Sequence, residues 1–177
     1  MSTSDGGTVT WNPDPILDGL KEAMLAEQTG IQFYTTAAEK TVDAQGRQVF
    51  EQLADEERQH LEYLQRQFRH ILAGEQFEPL TLASKVDAAQ TSPIFSPALR
   101  HRLKEAHWEM TALAVGLQLE LAAIQRYRSL AQTTDRPDVR TFFETLVRWE
   151  EGHAAALKKQ QEALKEAYWE SARFAPF

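Results

Sequence analysis

Along this chain apolar residues recur at alternating steps of three and four, the period of an amphipathic helix, in four blocks bounded by stop signals. Asp14 of "NPDP" serves as an N-cap with Pro15 in the first turn, "DAQG" at 43–46 interrupts the pattern, and Gly74 ends the second block. Ser96-Pro97 opens the third block, and "TTDRPD" at 133–138 separates it from the fourth. These signals predict helices over about 15–42, 46–73, 97–132 and 136–167, with a flexible tail at 1–14 and one domain over 15–177.

Each apolar seam has an ionisable middle. The first runs through Leu17, Leu20, Met24, Ile31, Tyr34 and Ala38, and its missing member is Glu27. The third, Ala106, Met110, Leu113, Leu117, Ile124, Tyr127 and Ala131, is broken by Glu120. In the second, Phe50, Leu53, Leu64 and Ile71 bracket Glu57 and His60; in the fourth, Val139, Phe143, Leu146, Leu157 and Leu164 surround Glu150 and His153.

The interruptions repeat. A shift of 93 positions carries Glu27, Tyr34, Glu57 and His60 onto Glu120, Tyr127, Glu150 and His153, and carries Leu20, Ile31, Phe50, Leu53 and Leu64 onto Leu113, Ile124, Phe143, Leu146 and Leu157. The chain therefore reads as two copies of one helical hairpin. Residues 75–96, with Pro79 and Pro93, form the long connection. About 22 extended residues reach roughly 70 Å, enough to return along a helix of roughly 40 Å. The predicted fold is all-α, a four-helix bundle with one long crossover. At 1.5 Å per residue the four glutamates fall at about one level, so four carboxylates and two imidazoles meet mid-bundle.

Composition narrows the chemistry. The 177 residues are 42% hydrophobic and 25% charged, ordinary for one globular domain. With no cysteine, disulfides, thiolate metal sites and thiol nucleophiles are excluded, and any metal must take nitrogen and oxygen ligands. A net charge of -7 argues against nucleic acid as a partner. The N-terminal stretch has no signal-peptide pattern and no apolar run is long enough for a membrane span, so a cytoplasmic protein is expected.

Four buried carboxylates repel one another and each loses several kcal/mol of hydration, so positive charge must lie among them. Two divalent cations balance four negative charges, and two imidazoles complete a set suited to iron or manganese. In Glu-x-x-His, residues i and i+3 share one helix face and reach one cation. Tyr34 and Tyr127, seven residues after their glutamates, are placed to hydrogen-bond a ligand carboxylate across the bundle or to fill the core. His70, His101 and His107 lie outside the repeat and are read as surface residues.

With "EQTGIQFY" (27–34), "LADEERQH" (53–60), "ELAAIQRY" (120–127) and "LVRWEEGH" (146–153), the chain resembles the ferritin-like di-iron superfamily, and within it the rubrerythrin-like branch. The resemblance spans about residues 15–165. It implies two iron ions, with manganese or zinc as substitutes, bridged by Glu57 and Glu150; Glu27 and His60 complete one iron, Glu120 and His153 the other. The paired Glu-x-x-His is closer to bacterioferritin than to ordinary ferritin, which has one histidine fewer. The implied function is a non-haem di-iron oxidoreductase acting on peroxide or dioxygen, with an external electron-donor protein. Typical rubrerythrins carry another glutamate three residues after the third-helix ligand, where this chain has Ala123, and they append a cysteine-ligated rubredoxin domain, for which this chain has no cysteine. Alternatives are iron storage or delivery with Fe(II) as substrate, hydroxylation of an organic substrate, and a bundle that uses metal for stability alone. A homodimer is expected, because ferritin-like bundles pair along their sides and Tyr168, Trp169, Phe174 and Phe177 extend beyond the fourth seam.

Overall fold

A computed structural model describes residues 15–78 and 107–171. They form four helices: α1 (Pro15–Lys40), α2 (Ala44–Leu72), α3 (His107–Thr133) and α4 (Pro137–Ser171). α1 packs on α2 and α3 on α4 as hairpins, and the hairpins join through α1 against α3 and through ring contacts between α2 and α4. This is the all-α four-helix bundle of two repeated hairpins. The expected opening of the third helix at Ser96-Pro97 and most of the crossover, with residues 1–14, lie outside the described residues.

The turns explain where the helix limits differ from the sequence reading. "DAQG" is not a break: Asp43 sits in extended backbone and its carboxylate accepts a hydrogen bond from Gly46 N at 2.9 Å. That is an N-cap, so α2 starts at Ala44, two residues before the expected 46, and Gly46 is buried inside its first turn. The turn itself is Thr41 to Asp43, and Thr41 N bonds Ala37 O at 3.0 Å. Gly74, at φ 76°, closes α2 where a side chain would be strained, and Glu75 N reaches back to His70 O at 2.9 Å. α4 continues to Ser171, beyond the expected 167, and Tyr168 packs against the core.

The interior of α1 is also shifted from the expected seam. Ala23 and Gly30 are buried, whereas Met24 and Ile31, one position later, are half-buried flanks. In α3 Gly116 is buried and Leu117 is half-buried. Small residues line the seam because the two helices approach closely: a Cβ on Gly19 would lie 2.6 Å from the Leu130 side chain, and one on Gly116 would lie 3.1 Å from the Tyr34 ring.

Two apolar clusters occupy the two ends of the bundle. One holds Tyr34, Phe50, Leu53, Leu113 and Leu157; the other holds Leu20, Leu64, Tyr127, Phe143 and Leu146. The repeat exchanges these sets, so the molecule has approximate twofold symmetry about the level between them. The glutamates and histidines lie at that level. Among the described residues no helix is long and apolar enough to cross a membrane.

Candidate metal centre

All six repeated ionisable residues are interior. Glu27, Glu57 and Glu120 are each 3% exposed, Glu150 1%, His60 4% and His153 0%. Each rides a helix whose buried positions are mostly apolar or small, so packing turns the polar group inward with the rest of its stripe.

His60 Nδ1 faces Glu57 Oε2 and Glu150 Oε1, each at 3.3 Å, and Glu27 Oε2 at 3.5 Å. His153 Nδ1 faces Glu150 Oε2 at 3.1 Å, Glu57 Oε1 at 3.4 Å and Glu120 Oε2 at 3.8 Å. The two rings lie face to face, 5.5 Å apart and 13° from parallel. Two groups of potential ligands result, Glu27, Glu57, His60 and Glu150, and Glu57, Glu120, Glu150 and His153, each with ligand atoms within 4.8 Å of one another. Glu57 and Glu150 belong to both.

The donor atoms are close but not bonded to one another. Both oxygens of Glu150, His60 Nδ1 and His153 Nδ1 are buried without a hydrogen-bond partner. Leaving one such atom unpaired costs about 1–3 kcal/mol, more for a charged group. Four orphaned atoms converging on two points have the N/O chemistry that a pair of divalent cations satisfies.

The tyrosines cross between hairpins. Tyr34 of α1 donates to Glu120 of α3, and Tyr127 of α3 donates to Glu27 of α1. Each phenol is fully buried and therefore needs such an acceptor. Burial, followed by the charges of the facing glutamates, pushes both phenol pKa values well above the usual range, so they remain donors.

Burial and the charge of Glu57 push the Glu120 carboxyl up to about 8. Burial, with Glu57 and Glu150, raises Glu27 in the same direction. Burial would also raise Glu57 and Glu150, but Glu27 facing Glu57, and the two histidines facing both, outweigh it and hold both low. Burial works against charging the imidazoles, yet their carboxylate neighbours lift both well above 6.5. Without metal, protons on Glu120 and on the imidazoles stand in for the missing positive charge.

A cavity of about 150 Å³ opens between α1 and α3 and reaches Glu27, Glu57, Glu120 and Glu150. Gly30 and Ala123, equivalent under the repeat, both line it. Ala123 is the position where typical rubrerythrins have another glutamate, so here that space is part of an opening toward the site.

Two features escaped sequence reasoning. Glu56, beside Glu57, is 5% exposed and its Oε2 lies 3.1 Å from His153 Nε2. The ring of Trp149 stacks on His60, 4.7 Å between centroids. Residues 56 and 149 are related by the shift of 93, and the indole at 149 was the available signal that this position faces inward. His107 is exposed, His70 is partly exposed and pairs with Glu75 and Glu78, and His101 lies outside the described residues.

A family model described as a ferritin-like domain matches residues 17–163. No curated protein and no solved structure matches the chain.

Proposed function

For a chain that belongs to the ferritin-like domain family, we propose a non-haem di-iron oxidoreductase that reduces peroxide or dioxygen, with the metals held by Glu27, Glu57, His60, Glu120, Glu150 and His153. One observation carries this reading: two four-residue donor groups share Glu57 and Glu150, and both oxygens of Glu150 are buried without a hydrogen-bond partner. A pair of ferrous ions would supply two electrons, enough with two protons to take one peroxide to two waters, and an external donor must return them.

The protein's own part is positional. Glu57 and Glu150, common to both donor groups, would hold both metals, while Glu27 with His60 would complete one position and Glu120 with His153 the other. Tyr34 and Tyr127 orient the terminal glutamates from the opposite hairpin, leaving an oxygen of each free for a metal. The cavity between α1 and α3 gives a small oxidant a path to the carboxylates, past Gly30 and Ala123. A Cβ at Gly30 would stand 3.3 Å from Glu57 Cγ, so glycine there keeps the carboxylate unobstructed.

Anaerobic loading with Fe(II), metal analysis, and stopped-flow mixing with peroxide or dioxygen test the reading. Two irons per chain, oxidised faster by peroxide than by dioxygen, are expected. Faster reaction with dioxygen favours the ferroxidase form, and a chain that takes up no iron refutes the proposal.

A further inference from the structure

The repeat that builds the centre is broken at one buried pair of positions beside it. On the Glu120 side, His153 presents Nδ1 to the carboxylates of Glu57, Glu120 and Glu150, and its other nitrogen, Nε2, lies 3.1 Å from Glu56 Oε2. Glu56 is itself fixed, since its Oε1 accepts from Gln52 Nε2 at 3.1 Å. With Nδ1 turned to the acids at the centre, the proton on Nε2 is the one Glu56 accepts.

On the Glu27 side the position equivalent to Glu56 is Trp149. Its indole lies flat on the His60 ring at 16° and offers no acceptor. The residue equivalent to Gln52 is Thr145, whose hydroxyl is turned to Thr141 O instead. One histidine is therefore backed by a buried, anchored carboxylate and the other by an aromatic face.

We propose that the two metal positions are inequivalent, with Glu56 acting through His153 to make the Glu120–His153 position the tighter one and the first to fill. The inference rests on the metal-binding reading above. A carboxylate accepting the outer N–H of a ligating histidine raises the basicity of the inner nitrogen and locks its tautomer, and losing such a partner costs about 10- to 100-fold in metal affinity. Glu56 contacts His153 and has no counterpart beside His60, where Trp149 stands. Stacking on Trp149 fixes the His60 plane without adding basicity. Glu56 is thus a positioning residue, not a ligand.

Single-position variants separate the two halves. Glu27→Gln removes a ligand from the His60 half and leaves the His153 half intact, and Glu120→Gln does the reverse. Calorimetric titration with Co(II) at fixed pH is expected to give a Kd about 10- to 100-fold lower for the remaining ion in Glu27→Gln than in Glu120→Gln. Adding Glu56→Gln, which keeps the volume and removes the charge, should raise the Kd of Glu27→Gln by most of that factor and leave Glu120→Gln unchanged. A purely structural role would weaken both backgrounds alike, and that result overturns the inference. Two Co(II) bound by the unmutated chain with equal affinity in the two single variants also overturns it while leaving the metal centre standing. An unmutated chain that binds no Co(II) overturns both.

Discussion

Glu120→Gln isolates the cost of keeping a carboxyl inside the bundle without metal. Burial and the Glu57 charge move this group from the ordinary 4.5 to about 8. Between those values the native state binds a proton that the unfolded chain does not, so the wild type loses stability as pH rises through that window. Below about pH 4.5 both states are protonated and this contribution to the pH dependence vanishes. At 1.36 kcal/mol per unit, the cost is about 3 kcal/mol at pH 7 and about 5 kcal/mol above pH 8. Glutamine carries no charge and its amide oxygen still accepts from Tyr34, so the metal-free variant should recover that energy. Because His153 loses one carboxylate partner, about 3 kcal/mol is the ceiling at pH 7. For a chain of this size it corresponds to roughly 6–12 °C in melting temperature. Urea unfolding followed by circular dichroism, in chelator at pH 4.5, 7 and 8.5, should show no gain, a clear gain and the largest gain. A gain that does not vary with pH, or a loss at pH 7, would refute the reasoning. With metal added the order should reverse, since the variant lacks a ligand.

Glu57→Ala or Glu150→Ala should reduce metal content from about two ions per chain to well below one, read by mass spectrometry of the loaded protein, because each removes a group reaching both positions. Metal binding at pH 7 should release protons, measured with an indicator dye in weak buffer, since Glu120 is pushed up to about 8 and Glu27 and both imidazoles are shifted upward as well; no release would contradict the charge assignment. Gly116→Ala should lower stability by about 1–3 kcal/mol in chemical unfolding, because the new Cβ meets the Tyr34 ring at 3.1 Å and presses it off Glu120; an unchanged midpoint would mean the helices part without cost.

The six repeated ionisable residues and both tyrosines were legible because a charge on an apolar seam is conspicuous, and a second copy at one offset removes coincidence. Glu56 was hidden by adjacency. On a helix, neighbouring residues differ by about 100° in direction, so "EE" reads as one inward and one outward glutamate; here both turn inward because α2 is packed from two sides, by α1 and by α4. Glu151, which follows Glu150, obeys the simple rule and pairs with Arg128 at the surface. Met24 and Ile31 were placed at the core on hydrophobicity, but proximity of two helix axes rewards small side chains, and Ala23 and Gly30 took the interior. The start of α2 was misread because Asp and Gly serve both as turn residues and as cap and first-turn residues, and only the Asp43 to Gly46 hydrogen bond separates the two.

The crossed tyrosines have a kinetic consequence. Within each hairpin, contacts close over a three-residue turn and form early, as local contacts do. The bonds from Tyr34 to Glu120 and from Tyr127 to Glu27 span 86 and 100 residues and exist only once the hairpins have docked. A lone hairpin thus holds a phenol without its acceptor and a glutamate without its donor, which docking alone resolves. Assembly of the centre is therefore a late, all-or-none event, and metal captured at both positions would act as a latch that slows undocking without hastening the collapse of either half.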